Sequence, residues 1–248
     1  MCTYCLTESG PGVKRRELGA DRMLDIARQA ADLGFTALGV TGGEPFLLPG
    51  RPETLARLGQ ILPTVGLTNG TLFTSRRLAA IEILAGHDVS LQISLDSADP
   101  DVNDEARGAD NFARVVAAIP ALVERGIAVR IATTSEAAEP DDMARLCELH
   151  RKLGVPDADH VVRPVIARGR AMTFGRGVAA GMDDLPPELT VTSDGAFWSP
   201  FGPTVRGGRP DIDLLVTRTT DPLQVPAQTL LGLVEGRPAG SDSTLNIR

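Results

Sequence analysis

Short apolar runs alternate with longer stretches of helical periodicity along most of the chain. Residues 20–33 carry Met23, Ile26, Ala27, Ala30 and Leu33 at helical spacing, and Gly34 stops the pattern. An apolar run over 37–40 follows and breaks at Thr41-Gly42-Gly43. The same rhythm then recurs. Residues 53–62, 76–85, 111–125 and 141–153 predict helices, and residues 65–68, 89–95, 127–133 and 160–166 predict strands. Helical segments of about 10–15 residues between strands predict βα units and a parallel sheet. Each strand runs into a polar or glycine-bearing loop, which is where open α/β sheets and α/β barrels bind ligands.

The rhythm changes after residue 172. Residues 175–181 and 185–187 read as loops, while 189–192 and 196–198 flank Ser193-Asp194-Gly195, a hairpin signal. Residues 211–217 predict one more strand and 226–234 a last helix; 237–248, rich in Gly, Ser and Asp, predict a flexible tail. The expected division is a core over 1–172, an extension with short strands and a helix over 173–236, and the tail.

Composition narrows the function classes. A net charge of −7 and an aromatic content of 4% argue against a nucleic-acid partner. No apolar run reaches the length of a membrane span and no secretory signal opens the chain, so the expectation is a cytoplasmic protein without a membrane partner. Three cysteines do not suit a disulfide framework. His87 and His160 read as isolated histidines, and the run Lys14-Arg15-Arg16-Glu17 as a solvated loop.

Four groups of chemistry-bearing residues fall at predicted strand ends: Thr41-Gly42-Gly43-Glu44-Pro45, Thr68-Asn69-Gly70, Ser94-Leu95-Asp96, and Arg163 through Gly169. Paired glycines let backbone groups approach a ligand closely. Ser94 and Asp96, two apart on a strand, share a face and suit a polyol such as a ribose. The chain also opens with Cys2-Thr3-Tyr4-Cys5, a C-x-x-C pair followed by a loop rather than by the helix of a thioredoxin-like motif.

Taken in order, these segments resemble the radical SAM superfamily. Cys2 and Cys5 fit the second half of its C-x3-C-x2-C motif, with Tyr4 as the aromatic residue before the last cysteine. Thr41-Gly42-Gly43-Glu44-Pro45 matches its GGEP motif; Ser94-Leu95-Asp96-Ser97 with Asp104 and Arg107-Gly108 resembles the segment after the fourth barrel strand. Arg168-Gly169-Arg170-Ala171 is similar to the stretch after the sixth, so that the resemblance covers residues 2 to about 172.

The resemblance implies a partial (β/α)6 TIM-like barrel, here lacking its first strand, with a small hairpin-containing C-terminal extension. It implies a [4Fe–4S] cluster and S-adenosylmethionine (SAM) as cofactors. Reductive cleavage of SAM then gives a 5′-deoxyadenosyl radical that modifies a peptide or a cofactor precursor. A low-potential electron donor is the implied partner. Cys2 and Cys5 would be cluster ligands. Gly42, Gly43, Glu44 and Pro45 would meet the amino end of SAM, and Ser94, Asp96 and Asn69 its ribose or carboxylate. Arg130 is the candidate for a carboxylate and Val165 for the adenine.

The chain departs from the motif in one respect. It has two of the three motif cysteines, and the third is expected upstream of Met1 together with the first strand. The alternatives are a cluster-free binding or scaffold protein of the same fold, and a zinc-stabilised protein using Cys147 and His150 with Cys2 and Cys5.

Overall fold

The computed structural model describes residues 2–7, 9–10, 16–135, 140–206 and 209–236. The tail expected at 237–248, and Lys14 and Arg15 of the charged run, lie outside the described residues. The first half of the chain runs α1 (Ala20–Asp32), β1 (Leu38–Val40), α2 (Arg51–Gly59), β2 (Thr64–Thr68), α3 (Ser75–Ile81), β3 (Val89–Ser94), α4 (Pro100–Arg107) and α5 (Asn111–Val123). Then come β4 (Ala128–Ser135), α6 (Pro140–Lys152), β5 (His160–Pro164) and α7 (Arg170–Thr173). The last elements are β6 (Leu189–Thr192), β7 (Gly195–Trp198), β8 (Val205–Arg206), β9 (Arg209–Pro210), β10 (Leu215–Thr217) and α8 (Gln224–Glu235). They form two units, one built on residues 37–165 with Cys2 and Thr3, the other on 4–36 and the residues from 166 onward.

The first unit is a curled half-barrel of five parallel strands in the order β1-β2-β3-β4-β5. Its two faces follow from strand alternation. Leu91 and Leu55 of α2 meet at Gly66, and Ile93 and Val115 of α5 meet at Gly70, so Leu91 and Ile93 stand on the helix-covered face. Leu91, Ile93, Leu95, Val115, Ile119, Leu122 and Ile131 are all fully buried there. Gln92 and Ser94 alternate with them and belong to the opposite, inner face, where Leu67, Gln92 and Arg130 are in register. Gly70, with φ +74°, turns the chain out of β2; a methyl group at this position would lie 2.7 Å from Ile93 Cγ2.

Helix α4 was not among the elements expected from hydrophobic periodicity. Its sequence, PDVNDEAR, has no apolar stripe; it forms because Pro100 opens it and Asp99 caps it, accepting the N–H groups of Asp101 and Val102 at 2.9 and 3.3 Å.

In the second unit β10-β7-β6 make an antiparallel sheet, with β6 and β7 joined by the expected hairpin. Trp198 is fully buried among Ile166, Leu185, Leu214 and Leu230, and its indole N–H donates to Leu185 O at 3.2 Å. The strand expected over 211–217 shortens to β10, because Asp211 turns the chain by accepting the N–H of Asp213 at 2.9 Å. Helix α1 buries Leu24, Ala27 and Ala30, and Gln29 ties it to the start of α8 by accepting the Leu223 N–H at 2.7 Å. Arg16 of the charged run pairs with Asp194 at 3.2 Å. Among the described residues, no helix is long and apolar enough to cross a membrane.

Candidate functional site

The first group lies just past β1. Gly42 and Gly43 are exposed, and a side chain added at Gly42 would meet no atom within 4 Å, so this backbone is open to a ligand. Glu44 turns the other way. Its Oε1 accepts the Phe46 N–H at 3.1 Å and the Thr68 hydroxyl at 2.9 Å, and its Oε2 accepts the Asn69 N–H at 2.8 Å. Burial pushes the Glu44 carboxyl above the ordinary glutamate range, with these hydrogen bonds opposing. Glu44 therefore fastens the glycine loop to the end of β2, and Pro45 is buried behind it. Asn69, expected as a ligand contact, uses its Oδ1 to hold Thr71, accepting the N–H at 2.9 Å and the hydroxyl at 2.7 Å.

The second group surrounds the end of β3. Ser94 is half-buried and its hydroxyl has no partner among the described residues. Asp96 is locked in place. Arg107 Nε lies 2.7 Å from its Oδ2, Arg107 Nη2 donates to Oδ1 at 3.0 Å, and the Thr134 N–H donates to Oδ1 at 2.8 Å. The Asp96 and Arg107 side chains are only 7% and 5% exposed, so this forked pair is a buried one. Asn103, fully buried on the same face of α4, accepts the Asp96 N–H at 3.1 Å and donates to Asn111 at 3.0 Å. Asp104 accepts the Phe112 N–H at 2.7 Å, which holds its carboxyl below the ordinary aspartate range. The polar helix α4 thus clasps the loop after β3. Sequence reasoning missed Asn103; its spacing of four from Arg107, on one helix face, was the available signal.

Arg130 stands on the inner face beside Gln92, with Asp159 as a loose counter-ion at 3.8 Å. Val165 is 4% exposed and donates its N–H to Ser135 O at 3.3 Å.

In the second unit, Cys5 is half-buried and its Sγ lies 3.6 Å from Thr7 Oγ1. The Arg170 N–H donates to Cys5 O at 2.8 Å, and Arg170 Nη2 donates to Ser9 O at 3.1 Å. Gly169 approaches the same loop so closely that a methyl group there would fall 2.7 Å from Cys5 O and 2.4 Å from Leu6 O. Cys2, in the first unit, is half-buried, and its neighbour Thr3 donates its N–H to Ala106 O at 3.0 Å.

His160 is not isolated, contrary to expectation. Its Nε2 is 2.8 Å from Thr133 Oγ1, its Nδ1 is 3.8 Å from Cys147 Sγ, and its ring meets His150 edge to face at 4.4 Å. His150 is fully buried and neither ring nitrogen has a hydrogen-bond partner among the described residues, so burial lowers its pKa to about 4. Among the described residues, no group of three His, Cys, Asp or Glu side chains is disposed to hold a metal. That leaves the zinc alternative without a third ligand. Nor do the motif thiols alone fit a [4Fe–4S] cluster, since Cys2 and Cys5 make two of the three thiolates it needs.

The exposed glycines after β1, fastened by the Glu44 carboxylate, and the Ser94 hydroxyl at the end of β3 both lie at carboxyl ends of parallel strands. Residues 1–149 match the family described as the Radical SAM superfamily, and the chain belongs to it. It is 34% identical over 155 residues to the PqqA peptide cyclase of Ruegeria pomeroyi, covering 62% of this chain and 41% of that protein. It is 31% identical over 157 residues to the AdoMet-dependent heme synthase of Methanosarcina barkeri, covering 62% and 44%. The chain thus spans less than half the length of these curated relatives. Among solved structures, native anSMEcpe with bound AdoMet superimposes with a TM-score of 0.62 at 14% identity, over 93% of this chain and 76% of that one. Streptococcus suis SuiB bound to precursor peptide SuiA gives 0.58 at 21% identity, over 75% and 40%. These likenesses establish the partial-barrel fold.

Proposed function

We propose that the chain binds SAM at the carboxyl ends of β1–β3 and serves a radical SAM enzyme that modifies a peptide. The observation that carries the SAM reading is the Gly42–Gly43 backbone, exposed to solvent while Glu44 holds it to Thr68 and Asn69. Its carbonyl groups suit the ammonium of the methionine moiety, and the Ser94 hydroxyl suits a ribose hydroxyl or a carboxylate. In this reading Glu44 and Asp96 set the shape of the two loops from behind, rather than touching the cofactor.

A [4Fe–4S] cluster in this family supplies the electron that opens the sulfonium of SAM. Cys2 and Cys5 are proposed as two of its ligands. The peptide class is supported by the similarity to the PqqA peptide cyclase and by the fold shared with the SuiB–SuiA complex. The similarity to the heme synthase supports the second reading, a cofactor precursor.

Equilibrium dialysis with radiolabelled SAM tests the site. The wild-type chain should retain label, and Gly42→Val and Ser94→Ala should each weaken retention about ten-fold, the scale of one or two lost hydrogen bonds. Retention unchanged in both variants would remove the reading.

A further inference from the structure

The inner face of the half-barrel carries a buried amide oxygen with no partner among the described residues. Gln92 is 4% exposed, and its Oε1 accepts no hydrogen bond among the described residues. Leaving a buried acceptor empty destabilises a fold, and an apolar side chain of the same length would avoid the cost. Arg130, in register beside it, has only Asp159 at 3.8 Å to answer its charge among the described residues, beyond hydrogen-bonding distance. Leu67, Ser94 and Arg130, on neighbouring positions of the same face, are all partly exposed, so an incoming group reaches the flanking side chains first and the amide only as they shift aside. It also lies two residues behind Ser94 along β3, about 7 Å deeper than the proposed cofactor contacts.

We propose that Gln92 and Arg130 together read one residue of a peptide substrate that presents an N–H next to a carboxylate. Arg130 pairs with the carboxylate and Gln92 Oε1 accepts the N–H. The pairing rests on the peptide reading above, and it assigns Arg130 to substrate rather than to SAM. The orphaned oxygen is then a group held ready, satisfied only in the complex.

The test needs neither a cluster nor turnover, so its failure is separate from failure of the SAM reading. The 15N-glutamine-labelled chain is titrated with N-acetyl-L-alanine, with its methyl ester, and in a separate arm with SAM. The Gln92 side-chain signal is assigned by its loss in Gln92→Met. The proposal expects a saturable shift of that signal with the free acid, absent with the ester and at least about ten-fold weaker in Arg130→Met. It also expects Gln92→Met to raise the Tm of the ligand-free chain by about 2–4 °C. No shift at millimolar acid, an equal response to the ester, or a signal moved by SAM and not by the acid overturns it. So does a lowered Tm in Gln92→Met.

Discussion

Replacing Gly169 by alanine tests how the loop carrying Cys5 is held. The glycine has φ +56° and ψ −132°, a region that residues with a side chain rarely occupy. Its new methyl group would sit 2.4 Å from Leu6 O and 2.7 Å from Cys5 O, so the backbone must part by about 0.6 Å to reach the shortest tolerated contact. That movement stretches the Arg170 N–H to Cys5 O bond, now 2.8 Å. Backbone strain of about 1–3 kcal/mol and a weakened hydrogen bond of about 1 kcal/mol sum to roughly 2–4 kcal/mol. For a chain of this size the Tm should fall by about 5–10 °C. The assay is thermal unfolding together with the rate of Cys5 alkylation, read by peptide mass spectrometry. Alkylation should accelerate as the loop loosens. Gly175→Ala is the control: Gly175 also has positive φ, +63°, but nothing lies within 4 Å of its added methyl, so about 1 kcal/mol is expected. Equal Tm values for the two variants, with Cys5 alkylation unchanged, would refute the close-contact argument.

Three further outcomes follow from the same geometry. Asp96→Ala strands the buried Arg107 guanidinium and should cost about 3–5 kcal/mol in urea unfolding, with Asp96→Ala/Arg107→Met recovering much of it. Glu44→Gln places an NH2 group against the N–H of Asn69 or Phe46 and should lose about 1–3 kcal/mol, together with SAM retention; unaltered unfolding would contradict the loop-fastening role. His150, its pKa lowered to about 4 first by burial and then by His160, stays neutral in the folded chain while the unfolded chain takes up a proton near pH 6.5. Its contribution is therefore full above about pH 6.5 and is lost as pH falls toward 4, about 3 kcal/mol in all. His150→Phe should flatten the dependence of urea midpoint on pH over that window, and an unchanged slope would count against the assignment.

The parts of the fold legible in the sequence were those where burial leaves a pattern. The strands β2, β3, β4 and β7 stood out as apolar runs between turns because they are packed against helices or a core, while β5 and β6, without a fully buried residue, were legible from short apolar runs beside turn signals. Helix α4 was invisible to that reading, since it is held by Asp99, Asn103 and Arg107 rather than by an apolar face. At the candidate site, Gly42, Gly43 and Ser94 were legible as residues that expose backbone or hydroxyl groups at strand ends. The direction in which Glu44, Asn69 and Asp96 face was not, because a polar residue at a loop serves a ligand or its own backbone with the same one-letter code. Gln92 escaped notice for a related reason: strand alternation places it on a face, but only the partners on that face reveal its empty acceptor. His160 gained its partners from β4 and α6, a contact that sequence spacing alone does not announce.

Reductive opening of SAM is the chemistry proposed for the enzyme to which this barrel belongs. The most direct measurement is 5′-deoxyadenosine formation by the protein expressed from its full reading frame, reconstituted anaerobically with iron and sulfide and reduced with dithionite. 5′-Deoxyadenosine should accumulate with SAM and disappear in Cys5→Ala. Iron-loaded, reduced protein that leaves SAM intact would contradict that proposal.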